Sequence, residues 1–227
     1  MAMPTPTIIP MIDPANLTAT TRLAYWLSPA FPTGAFAYSH GLEYAFEANL
    51  IETREDFTQW LSAVISDGSG WADAVLCSLS WRSDDHHDLR DFALSLASCA
   101  ERYKETTQQG RAFLQSAREW LPSLSLEQET PLPVCVGAAA RAANMDHGLT
   151  VSLYLSSIAT NLIQAALRMG RYGQEDGVII TAALEPLIIE TAISACSASL
   201  EDIHSATVIA DLAAIQHETL DTRIFAT

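Results

Sequence analysis

The apolar residues of this chain recur at helical spacing along most of its length and nowhere alternate as a strand requires. Phe57, Trp60, Leu61, Val64 and Ile65 follow the i, i+3, i+4, i+7, i+8 template, which lines one face of a helix. Thr53, with Asp56 three residues on, reads as a capping box opening that helix, and Gly68 as its stop. Trp71, Val75, Leu76 and Leu79 predict the next helix. Leu89, Phe92, Ala93, Leu96 and Tyr103 predict another, entered through the acidic Asp84-Asp85 pair. Arg111 to Leu121 continues helically until Pro122. Residues 122–133 form a long loop, and Pro133 to Met145 an Ala-rich buried helix. Leu149 to Leu167 is a long apolar helix with Thr150 as its cap. A helix then runs from about Val178 to Cys196, kinked by Pro186, and a last one covers about Leu200 to Gln216. The pattern predicts an all-α, single-domain bundle of about ten helices over residues 21–227. Residues 1–20, with Pro4, Pro6, Pro10 and Pro14, are predicted to be a mobile leader.

Composition narrows what such a bundle can do. At 227 residues and 49% hydrophobic, the chain can build a sizeable core. Twelve basic residues against 27 acidic give a net charge of −15, which disfavours nucleic acid and anionic membrane surfaces as partners. No apolar run reaches the roughly 18 to 20 residues of a membrane span, and no basic residue precedes Arg22 to start a secretory signal. A cytoplasmic protein is expected. Its four widely spaced cysteines (Cys77, Cys99, Cys135, Cys196) are expected to stay reduced. Lys104 is the only lysine and stands outside any Gly-Lys-Ser/Thr context, so there is no P-loop.

Catalytic patterns are sparse. His217-Glu218 begins like a zinc-protease motif, but Asp221 stands where the second histidine belongs, and the stretch reads as polar surface. Asp84 to Asp88 gathers metal-ligand types, yet adjacent helical residues point apart and cannot close on one ion. No GxSxG elbow occurs. The reading is a non-enzyme with no metal site and no cofactor. The competing readings are a helical metal-dependent hydrolase using His86, His87 or His217, and a helical binding protein for an apolar ligand built on residues 134–167.

Two other stretches stand out. Arg171 and Tyr172 lie between the breakers Gly170 and Gly173, with Arg168 just before and Gln174 following, and arginine and tyrosine are common interface anchors. The chain closes on Thr222-Arg223-Ile224-Phe225-Ala226-Thr227, whose apolar groups need a docking place on the chain itself or on a partner.

Residues 28–44 (SPAFPTGAFAYSHGLEY) carry the most specific pattern. Ser28, Pro29, Pro32, Gly34, Phe36, Tyr38, Ser39, Gly41, Leu42 and Glu43 match, in register, the N-terminal signature of the UreF family of urease accessory proteins. The segment around Gln109-Gly110-Arg111, the run Leu167 to Gln174 and the close His217-Glu218…Arg223-Ile224-Phe225 are similar to later motifs of that family. His40 stands where glutamine is usual, and Ala226-Thr227 where Arg-Ser is expected. The resemblance implies an all-α, non-enzymatic assembly factor. It would form a homodimer and bridge the accessory protein UreD (or UreH) to the GTPase UreG during nickel loading of apo-urease. It further implies partner-binding roles for Phe36, Tyr38, His40 and Glu43 in the leading segment, for Arg168, Arg171, Tyr172 and Gln174, and for Arg223 and Phe225 in the tail.

Overall fold

Helix ends are set by local chemistry. Thr53 and Asp56 form the expected capping box: the Thr53 amide donates to Asp56 Oδ2 (2.9 Å) and the Asp56 amide to Thr53 Oγ1 (3.1 Å). The computed structural model describes residues 13–226, which contain ten α-helices, two 3-10 turns and no strand. The helices are α1 (Pro14–Trp26), α2 (Leu42–Glu47), α3 (Arg54–Asp67), α4 (Ser69–Arg82), α5 (His87–Ser95), α6 (Ala100–Ala117), α7 (Leu132–Ala142), α8 (His147–Arg168), α9 (Gln174–Ser197) and α10 (Val208–His217).

Helix α8 supplies both main cores. On one side, Leu155, Leu162 and Ile163 pack with Leu42, Phe46, Phe57, Leu61 and Ile65 of α2 and α3 and with Ile180 and Leu184 of α9. On the other, Tyr154 joins Leu23, Trp26, Phe113, Val136 and Ala139 from α1, α6 and α7. Each such large side chain contributes about 1.5–3 kcal/mol on leaving water. The Ala-rich composition of α7 also has a steric reason. At Gly137 an added Cβ would collide with the Cys77 carbonyl oxygen, so α4 and α7 approach backbone to backbone.

Several boundaries differ from expectation. Asp146, not Thr150, caps α8: its Oδ1 accepts from the Leu149 amide (2.7 Å), while Thr150 is buried and its hydroxyl donates to the Asp146 carbonyl (2.6 Å). The last helix starts at Val208, eight residues later than predicted. The preceding stretch forms a 3-10 turn (Leu200–Asp202) and is then held by its neighbours: the Trp71 indole donates to the Asp202 carbonyl (2.9 Å) and the Ala206 amide to the Asp67 carbonyl (2.7 Å). Helix α9 starts earlier than predicted and continues through Pro186. Pro14, read as a breaker, occupies the first helical position of α1 with Asp13 as cap, where its fixed φ suits a helix. Residues 14–20 of the predicted leader are thus the first turns of α1; Pro4, Pro6 and Pro10 lie outside the described residues. By length and composition α8 and α9, at 22 and 24 residues, also reach the size of a membrane span, which the run-based reading missed.

Candidate functional site

The 28–44 segment folds as a loop, a 3-10 turn (Ala35–Ala37) and the start of α2. His40 (φ 54°) and Gly41 (φ 76°) are both left-handed and swing the chain into α2. At Gly41 a Cβ would lie 2.5 Å from the Ala214 backbone nitrogen, so only glycine lets α10 seat against this turn. Tyr38 is buried and its hydroxyl donates to Gln108 Oε1 (2.8 Å). His40 Nε2 lies 2.8 Å from Glu105 Oε1. Behind it Arg102 bonds Asp73 (2.7 Å), Tyr154 donates to Asp73 (3.1 Å) and Gln109 to Glu105 (2.9 Å). Burial pushes the Glu105 carboxyl up, but His40 and Arg102 outweigh it and hold the group below the usual carboxylate range.

Glu43 gathers the C-terminus. Its Oε1 accepts from the Ile224 amide (2.7 Å), and its Oε2 from the Phe225 amide (3.0 Å) and from His217 Nε2 (3.2 Å). The opposite ring nitrogen of His217 lies 2.8 Å from Glu101 Oε2, and Glu101 Oε1 accepts from Arg223 (2.5 Å). His217 is fully buried at the centre of this arrangement, so the expectation of polar surface there is overturned. Helix α10 ends at His217, which leaves Asp221 off the helical face it was expected to share.

Arg168, at the end of α8, completes the clasp. Its guanidinium lies over the Phe36 ring (3.5 Å to the centroid) and over the ring of Phe225 (4.6 Å). Nη1 donates to the Phe36 carbonyl (2.5 Å) and Nε to the Gln164 carbonyl (3.2 Å). Burial lowers its pKa. Phe225 is buried while Phe36 is exposed. The structure therefore joins Phe36, Glu43, Arg168, Arg223 and Phe225 in one cluster, with Tyr38 and His40 beneath it.

The remaining candidates lie elsewhere. Tyr172 stacks on Phe57 (5.2 Å, 9°) and donates to the Thr53 carbonyl (2.9 Å), so its ring is committed to packing inside the chain. Arg171 covers Phe46 (5.1 Å), and Gln174 opens α9 with its side chain exposed. Sequence reasoning missed Glu101, Glu105 and Arg102, which occupy successive turns of α6. The helical pattern and the family-like Gly-Arg segment pointed to α6 as a helix, and neither indicated charge pairing. His86 and His87 face Ser80 and Glu127, and among the described residues no group of three or more His, Cys, Asp or Glu is placed to hold a metal ion.

Beside the clasp lies a cavity of about 440 Å³ under the 28–36 loop, walled by Trp26, Phe31, Phe113 and Leu132 and reaching Asn161, Gln164 and Arg168. Trp26 is 1% exposed, and its indole N–H is the one buried side-chain polar atom among the described residues without a hydrogen-bond partner. Such an orphan costs about 1–3 kcal/mol.

Comparison with known proteins accounts for this architecture. The UreF family model matches residues 51–185. The chain is 42% identical over 225 residues to the urease accessory protein UreF of Brucella ovis, covering 96% of this chain and 99% of the relative. It is 42% identical to UreF 1 of Brucella canis over 96% and 98% of the two chains, and 41% identical to UreF of a Bradyrhizobium species over 91% of each. With its signature segment, its Arg168 turn and its tail folded into one site, the chain belongs to the UreF family of urease accessory proteins.

Proposed function

We propose that this protein is a non-catalytic assembly factor of urease maturation. It forms a homodimer, joins a UreD/UreH-type accessory protein to the UreG-type GTPase, and through them serves nickel insertion into apo-urease in the cytoplasm. One observation carries the assembly role: large apolar groups stand in contiguous, unpartnered faces. Along α9, Val178 (69% exposed), Ile189 and Ile193 (68%) face outward; α10 presents Val208, Ile209 and Leu212, and the tail exposes Ile224. The α9 face suits a second copy of the chain. Helix α10 is tied to the clasp through His217 at its end, and its exposed face suits an accessory protein. Arg171 and Gln174 offer polar contacts at the end of α9, with Tyr172 fixing that turn from inside.

The test is urease activity at low nickel in cells that lack only this chain. Apo-urease that accumulates inactive, and recovers on re-expression, is the expected result. Full activity without the chain would remove the maturation role.

A further inference from the structure

The cavity under the 28–36 loop has a charge balance unlike that of the chain around it. The protein carries 27 acidic residues against 12 basic, yet every residue lining this cavity is uncharged except Arg168. No carboxylate among the described residues lies within ion-pair distance of that guanidinium; the same holds for Arg22, Arg82, Arg111, Arg118 and Arg171, while Arg54, Arg90, Arg102, Arg141 and Arg223 each have one, and of the six Arg168 is the one that lines this cavity. Arg168 is also held in place: its guanidinium lies against the rings of Phe36 and Phe225, and two backbone carbonyls fix Nε and Nη1. That leaves Nη2 available. Asn161 and Gln164 line the same space, and so does Trp26, whose indole nitrogen is itself shut off from it. Ser28, Thr33, Gln109 and Ser157 add uncharged polar groups, the rest of the wall is aromatic and aliphatic, and the volume is that of a small-molecule site. A preset cation, unused donors and an apolar wall together select an anionic hydrogen-bond acceptor on an apolar body.

We propose that this cavity binds a small organic monocarboxylate, its carboxylate on Arg168 with the Asn161 and Gln164 amides and its apolar body against Trp26, Phe31 and Phe113. The site is separate from the outer faces of α9 and α10, and its occupancy is read on the purified chain alone, independently of urease maturation.

The experiment is a titration of the full chain, with tryptophan indole N–H signals followed by heteronuclear NMR and the Trp26 signal assigned from Trp26→Phe. The probes are hexanoate, hexanamide and hexylamine. Hexanoate is expected to shift the Trp26 signal saturably, hexanamide more weakly, and hexylamine not at all. Arg168→Gln is expected to weaken hexanoate about tenfold or more and leave hexanamide unchanged, while Arg168→Lys restores part of the preference for the anion. The Lys variant guards against a loss of fold being read as a loss of binding. A Trp26 signal unmoved by hexanoate up to about 20 mM, a response no stronger than to hexylamine, or equal hexanoate affinity in Arg168→Gln would overturn the proposal.

Discussion

Glu43 shows how one side chain can set the course of a distant segment. Both its oxygens are taken up by the tail amides and by His217, while Glu101 holds the other side of His217 and Arg223. Removing the carboxylate strands a buried imidazole and two amides at once. Glu43→Ala is therefore expected to cost about 3 kcal/mol, seen as a melting temperature lower by roughly 6–12 °C for a chain of this size. Residues 220–226 should also become the first site of proteolytic cleavage. A tail still protected in Glu43→Ala would mean that Phe225 packing, not the carboxylate, holds it. Glu43 was legible as a signature residue, but its partner 174 residues away was not, because nothing local couples the two. His217 was misread for the same reason: a histidine near a chain end looks like surface until α2 and α6 close over it.

At the level of elements, α9 carries the clearest sign of assembly. Its apolar residues surround the helix: Ile180, Leu184 and Ile188 face the core, while Val178, Ile189 and Ile193 face outward. Ile193→Asp is expected to halve the mass measured by light scattering and to change stability by no more than about 0.5 kcal/mol, as for other surface positions. A monomeric wild-type chain, or a variant of unchanged mass, would place the dimer contact elsewhere. Helix existence was well marked in the sequence because the 3.6-residue period and the caps at Thr53 and Gly68 are local. Helix limits were less so. The stretch before Val208 was read as helix, yet the Asp202 carbonyl is taken by the Trp71 indole and the Ala206 amide by the Asp67 carbonyl, and that tertiary alternative shortens α10.

For the molecule as a whole, buried ionisable groups give stability a defined pH dependence. Burial lowers the pKa of His147, stacked on Trp81, and of His86, and Glu105 is lowered by His40 and Arg102 despite burial. In each case the folded-state pKa lies below the unfolded one. The associated stability is therefore present above the unfolded value; it begins to be lost as pH falls below about 6.5 for the histidines and about 4.5 for Glu105, and is gone once pH has fallen through their lowered folded values. His87 shifts the other way through Glu127, but it is exposed and weakly coupled. The melting temperature should fall between pH 7.5 and pH 5.5, and His147→Gln should flatten that slope even if it lowers the midpoint throughout. An unaltered slope would assign the acid sensitivity to other groups.

The sequence by itself determined the all-helical class, the order of the helices and the family, because periodicity, capping and an ungapped ten-position signature are all properties of nearby residues. Only the tertiary structure decided that the signature segment, the end of α8 and the tail form one site, that Tyr172 packs inward, and that an arginine without a carboxylate faces a cavity. Those facts depend on which surfaces meet when the helices pack. Burial, charge pairing and the volume left between elements exist only after that packing.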